Sequence, residues 1–253
     1  MELTLRLDNK ISIVTGSGSG LGQGIAQGLA SLGAVVITAD MDFAAAEATA
    51  AGIRAAGGNA YAALLDITDS AAFAALVQDI LSQHGKIDIL VNNAGINRRN
   101  ILIDTPEEDW KKILEVNLTG AWIGAKAVAP AMIAQRAGKI INIASVLGFV
   151  SLSEVAGYSA SKGGLIQLTK TLALELVEHN IQVNAVAPAY ILTELTKKLQ
   201  QDTVRYEDLI RRTPMGRFGT VEEIAGPVAF LASDFSSYMT GATIPVDGGW
   251  LSW

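Results

Sequence analysis

The chain contains no cysteine and only two histidines, His84 and His179. Disulfides are thereby excluded, and a zinc centre built from His and Cys has too few ligands, so no metal site is expected. Long apolar runs are missing as well: none approaches the ~20 residues of a membrane-crossing helix. The stretch Met1 to Asp8 lacks the charged-then-apolar layout of a secretory signal. A cytoplasmic protein with no membrane partner is the expectation. Charge is also sparse. Only 17% of the 253 residues are charged, the formal net charge is −6, and basic residues cluster no further than Arg98-Arg99 or Arg211-Arg212. Nucleic acid is therefore not expected as a partner.

What is abundant is hydrophobic: half of all residues, which suits a buried sheet under helices. Short apolar runs alternate with Ala-rich amphipathic stretches, the pattern of repeated strand-helix units. Strands are expected at Ile11 to Thr15, Val35 to Ala39, Ala60 to Leu65, Ile87 to Asn92, Lys139 to Ala144, Gln182 to Ala187 and Thr243 to Val246. Helices are expected near 21–32, 43–56, 70–83, 106–135, 157–178 and 220–232. With no linker to divide it, the chain reads as one α/β domain over residues 1–253: a Rossmann fold with a doubly wound, seven-stranded parallel sheet and helices on both faces.

Two helices have little room for a solvent face. Between Asn117 and Gln135 the only charged residue is Lys126, and Leu165, Ile166, Leu168, Leu172, Leu174, Leu176 and Val177 crowd the helix after Tyr158. Such helices are buried on both sides. Packing against the same helices of other subunits, as in a homotetramer, is the expectation; cover by the chain's own loops is the alternative.

The first strand leads into Thr15-Gly16-Ser17-Gly18-Ser19-Gly20-Leu21-Gly22, a glycine-rich turn opening a helix. Glycines let the backbone turn tightly and approach a pyrophosphate, whose charge the helix N-terminus attracts. The strict G-x-G-x-x-G spacing fails in every frame; T-G-x-x-x-G-x-G fits, at Thr15, Gly16, Gly20 and Gly22. A tight connection without a ligand is the plainer reading. Eighteen residues after Gly22, Asp40 closes the second strand, where an acid binds an adenosine ribose. A carboxylate there would repel the 2′-phosphate of NADP, and neither Ser19 nor Met41 supplies a compensating cation, so NAD is the expected cofactor. Capping of the next helix is an alternative role for Asp40.

Tyr158 and Lys162 share a helix face at i and i+4, and Ser145 ends a strand thirteen residues before Tyr158. An ammonium beside a phenol favours the ionised form of a group whose free pKa is about 10. Moving a hydride from a carbinol carbon leaves a proton to be removed, which such a phenol can take while a serine hydroxyl holds the oxygen. Tyr and Lys four apart are also common as mere surface neighbours.

Together, the Thr15 to Gly22 turn, Asp66, Asn92-Asn93-Ala94-Gly95, Asn117, Ser145, Tyr158, Lys162 and Pro188 to Thr193 resemble the short-chain dehydrogenase/reductase family from end to end. The resemblance implies a catalytic set of Asn117, Ser145, Tyr158 and Lys162, with Lys162 lowering the Tyr158 pKa and Asn117 positioning a water toward Lys162. It implies cofactor contacts at Gly16, Ser19, Gly20, Leu21, Gly22, Asp40, Asp66, Ile67, Asn93, Ala94, Gly95, Tyr158, Lys162, Pro188, Ile191 and Thr193. Where the family has Pro-Gly after the sixth strand, this chain has Pro188-Ala189, and a left-handed backbone there would strain Ala189.

Substrate specificity is expected in the loops 97–100, 146–155 and 189–215, the last a charged 27-residue stretch long enough for a helical lid. Candidate substrate residues are Arg98, Arg99, Ser145, Leu147 and Tyr190. Arg98 or Arg99 could pair with a carboxylate; surface or intersubunit ion pairs are the plainer reading. The run Asn92 to Arg99, with His179 to Asn184 and Val246 to Trp250, resembles the gluconate 5-dehydrogenase branch. Three readings stay open: an NAD-dependent dehydrogenase of a sugar acid, sugar or polyol; a 3-oxoacyl-(acyl-carrier-protein) reductase; and a non-catalytic NAD-binding sensor. The aromatic end, Trp250 to Trp253, is expected to dock at an interface or near a neighbouring site.

Overall fold

The computed structural model describes residues 5–193, Thr196 and residues 202–252. Seven strands, β1 (Ile11–Thr15), β2 (Val35–Asp40), β3 (Asn59–Leu64), β4 (Ile89–Asn92), β5 (Gly138–Ile143), β6 (Ile181–Pro188) and β7 (Thr243–Val246), form one sheet in the order β3-β2-β1-β4-β5-β6-β7. Every pairing is parallel. Helices α1 (Gly20–Ser31), α2 (Phe43–Ala55), α3 (Ser70–His84), α4 (Glu107–Leu114), α5 (Gly120–Gln135), α6 (Ala156–Leu176), α7 (Thr203–Arg211) and α8 (Val221–Ala232) make the connections. The expected Rossmann sheet is therefore present.

Alternation along the strands divides the core between the two faces of the sheet. Val14, Val36, Val91 and Ile141 join Ile25 and Leu29 of α1 and Ile224 and Val228 of α8 on one face. Ile13, Ile37, Leu90 and Ile140 meet Phe73 and Val77 of α3 and Val128 and Met132 of α5 on the other. The chain reverses direction across the sheet between β1 and β4, and that switch point opens a crevice at the carboxyl ends of the strands.

Most strand ends shift by one residue or less from expectation. The larger correction is in β4, which begins at Ile89; Ile87 instead gives its N–H to the Gln135 side chain, and Asp88 gives its N–H to Ile11. The helix expected over 106–135 is interrupted by a π-helical turn, Glu115–Thr119, between α4 and α5. Ala189 lies outside the left-handed region and donates its N–H to Val246, so the anticipated strain does not arise. Of the expected lid, Ala189 to Thr193, Thr196 and 202–215 are described and include α7; Glu194, Lys197 and Lys198, like Trp253, lie outside the described residues. No described helix is long and apolar enough to cross a membrane.

Candidate active site

The glycine-rich turn is shaped by contacts that exclude side chains. A Cβ on Gly16 would stand 2.7 Å from the Ala94 Cα, and one on Gly22 would stand 2.1 Å from the Gly16 carbonyl oxygen. Asn93 fastens the turn to β4: its amide nitrogen donates to the Thr15 and Gly16 carbonyls at 2.9 and 3.1 Å, and its backbone N–H donates to the Thr15 hydroxyl. Ser19, at the N-cap of α1, offers no side-chain cap, which leaves the first-turn N–H groups to a ligand. The residues fit a phosphate-bearing cofactor.

Asp40 is braced as well as available. Its carboxylate accepts the backbone N–H of Gly18 at 2.9 Å and of Asp42 at 3.0 Å. It does not cap α2; Asp42 does, accepting from Ala45. Further along the same wall, Asp66 is held below the usual carboxylate range by bonds from the Thr68 hydroxyl and backbone N–H.

At the far end Ser145 leaves β5 and its hydroxyl accepts the Leu147 N–H at 3.1 Å. The loop then lies directly on α6, because a Cβ at Gly148 would meet the Ile166 Cδ1 at 2.7 Å and the Lys162 carbonyl at 2.9 Å. This close approach sets Ser145 against Tyr158. Burial raises the Tyr158 pKa and the Ser145 hydrogen bond partly opposes it. Lys162 is buried, donates to the Ile143 carbonyl at 2.6 Å, and is pushed down to about 8 by burial alone. Its nitrogen stands 5.7 Å from the centre of the Tyr158 ring. Burial thus acts on the two groups in opposite directions, raising the phenol and lowering the ammonium.

Asn117 anchors the segment after β4. Buried in the π turn, its side chain accepts from the Ile96 N–H at 2.7 Å and donates to the Ile96 carbonyl and the Ser161 hydroxyl. The amide braces the segment after β4 against α6.

Every other candidate residue lines one cleft of about 620 Å³: Gly16, Ser19, Gly20, Leu21, Gly22, Asp40, Asp66, Ile67, Asn93, Ala94, Gly95, Arg98, Arg99, Ser145, Leu147, Tyr158, Lys162, Pro188, Tyr190, Ile191 and Thr193. Lys112, Val116 and Thr196 line it too and escaped the sequence reading. Lys112 belongs to a charged helix whose facing periodicity alone does not fix. The two arginines differ in situation. Arg98 is ion-paired with the buried Asp109, whereas Arg99 stands 3.6 Å from Glu154 and lies beside the Tyr190 phenol.

Residues 16–251 match a family model described as enoyl-(acyl carrier protein) reductase. A 3-oxoacyl-(acyl-carrier-protein) reductase FabG of Thermotoga maritima is 41% identical over 245 residues, covering 97% of this chain and 99% of that protein. A 2-dehydro-3-deoxy-D-gluconate 5-dehydrogenase of Dickeya dadantii is 40% identical over 250 residues, covering 98% of each. The crystal structure of a gluconate 5-dehydrogenase from Burkholderia cenocepacia J2315, in complex with NADP and tartrate, superposes with a TM-score of 0.95 at 40% identity, again covering 98% of each chain.

Proposed function

Because the chain belongs to the short-chain dehydrogenase/reductase family, we propose that it is an NAD-dependent dehydrogenase of a sugar acid, sugar or polyol. The reading rests on one observation: the Ser145 hydroxyl, the Tyr158 phenol and Lys162 meet at one end of a cleft whose other end holds the glycine turn and Asp40. When bound, the nicotinamide supplies the hydride acceptor. Gly16 to Gly22 and the N-terminus of α1 would hold the pyrophosphate, Asp66 and Ile67 the adenine, and Pro188, Ile191 and Thr193 the carboxamide end. Ser145 would hold the substrate oxygen, Tyr158 would exchange its proton, and Lys162 would hold the nicotinamide ribose. Asn117 acts through Ile96 and Ser161, as a positioning residue.

The sugar-acid reading is favoured by Arg99 in the cleft and by the B. cenocepacia relative solved with tartrate, a hydroxy acid. The T. maritima relative favours a second reading, reduction of 3-oxoacyl thioesters. Formation of NADH over a panel of polyols, sugars and sugar acids separates them. Turnover there supports the first reading; silence there with activity on 3-oxoacyl thioesters replaces it by the second.

Cofactor choice follows from Asp40. With its oxygens fixed by Gly18 and Asp42, the carboxylate cannot easily turn away from a 2′-phosphate. Although the B. cenocepacia relative was solved with NADP, we expect a preference for NAD here. Asp40→Ala should move the NAD/NADP ratio of kcat/KM toward NADP by about tenfold or more, the effect of one removed like-charge contact. An unchanged ratio would take discrimination away from Asp40.

The same reading includes a homotetramer built on α5 and α6. In the single chain Leu174 of α6 is 78% exposed and Trp122 of α5 is 43% exposed, apolar area that a neighbouring subunit would cover. A light-scattering mass equal to one 26.5 kDa chain would remove the tetramer from the proposal.

A further inference from the structure

The three loops at the carboxyl ends of β4, β5 and β6 each send one charge to the same point. Glu154, from the loop after β5, lies 3.6 Å from the Arg99 Nε and 3.7 Å from the Arg205 Nη2 on α7. Both separations exceed a hydrogen bond. Among the described residues the buried Arg99 Nε has no hydrogen-bond partner, a costly state for a guanidinium donor.

Glu154 is held there deliberately. Its backbone occupies the left-handed region at φ +70°, unusual for a residue that is neither Gly nor Asn, and its carbonyl accepts the Asn100 N–H at 3.1 Å. The carboxylate stands between two cations, and its pull is divided between them. The neighbouring charges are matched by other partners: Arg98 with Asp109, and Arg212 with Asp208 at 2.9 Å. Arg99, but not Arg205 or Glu154, lines the cleft, beside Tyr190.

We propose that Arg205 is a specificity-determining residue that acts through Glu154: by sharing that carboxylate, it keeps Arg99 incompletely neutralised and so reserves it for an anionic substrate. The inference rests on the sugar-acid reading above. Without Arg205, Glu154 closes on Arg99 and competes with a substrate carboxylate. Without the Glu154 charge, Arg99 is open to one whether or not Arg205 is present.

The test uses D-gluconate and its uncharged counterpart D-glucitol, followed both by steady-state kinetics and by calorimetric titration of the protein with and without NADH. Arg205→Ala should weaken gluconate by roughly three- to tenfold, the range of one partly solvated charge contact, and leave glucitol unchanged. Glu154→Gln should strengthen gluconate, and the double variant should match Glu154→Gln alone. Equal loss of both probes in Arg205→Ala would mean a structural role and overturn the proposal. So would a double variant still weaker than Glu154→Gln, since Arg205 would then touch the substrate itself. Wild-type protein that binds gluconate no better than glucitol also overturns it, with the dehydrogenase reading intact. Charge-dependent binding of gluconate without any turnover would instead defeat the sugar-acid dehydrogenase reading and leave the Arg99–Glu154–Arg205 arrangement standing.

Discussion

Tyr158→Phe is expected to lower turnover by at least ~10²-fold, the usual effect of losing a general acid or base, while NADH binding stays within a few-fold of wild type. The change removes one oxygen from a partly buried ring and leaves its volume almost untouched, so packing on Leu147 and its neighbours is retained. The lost atom is the one that meets Ser145. Burial keeps that phenol protonated to higher pH than a free tyrosine, and the Ser145 hydroxyl only partly reverses this. Oxidation of an alcohol needs the ionised form, so its rate should rise with pH; ketone reduction draws on the protonated form and should fall. Both slopes should disappear in the variant. Steady-state rates in each direction, beside a fluorescence titration with NADH, check all of this. Turnover within tenfold of wild type would remove Tyr158 from proton transfer, and lost NADH binding would point to a collapsed site.

Features carried by short-range rules were legible without coordinates. Strands read as apolar runs because both faces of a parallel sheet are covered, and the T-G-x-x-x-G-x-G spacing is visible because Gly16 and Gly22 admit no side chain. The convergence of Ser145, Tyr158 and Lys162 was readable through helical periodicity and the end of β5. Features set by long-range contacts were not. A π turn has the same composition as an α turn, so the break at Glu115–Thr119 left no trace in the sequence, and with it went the commitment of Asn117 to Ile96. The same holds for a buried polar chain in which Asn92 donates to Asn142, Asn142 to Thr169, and Thr169 to the Leu165 carbonyl, tying β4 and β5 to α6. Only asparagines inside strands hinted at it. Arg98 and Arg99 were indistinguishable as neighbours; tertiary partners, Asp109 for one and Glu154 for the other, separate them. The i, i+4 spacing brought Lys162 beside Tyr158 but says nothing of the burial that acts on both groups.

Gly22→Ala should abolish measurable cofactor binding and destabilise the protein by about 3 kcal/mol or more, at the upper end of what overpacking costs. The new Cβ would lie 2.1 Å from the Gly16 carbonyl oxygen and 2.5 Å from the Asn93 Nδ2. Neither neighbour is free to yield. The carbonyl is backbone in a turn whose Gly16 has φ +63°, and the Asn93 amide is spent on the Thr15 and Gly16 carbonyls. Relief would therefore open the turn, detach it from β4 and leave buried carbonyls without donors, adding to the steric cost. Gly52→Ala is the matched control. It lies within α2, and a Cβ there meets nothing within 4 Å, so the same added methyl should stabilise by ~0.5–1 kcal/mol through helix propensity. Thermal denaturation and NADH titration of the two variants separate the effects of alanine from those of position. If Gly22→Ala melted like wild type and still bound NADH, the turn would have to accommodate a side chain where its packing leaves no room for one, and its assignment as the pyrophosphate site would fall.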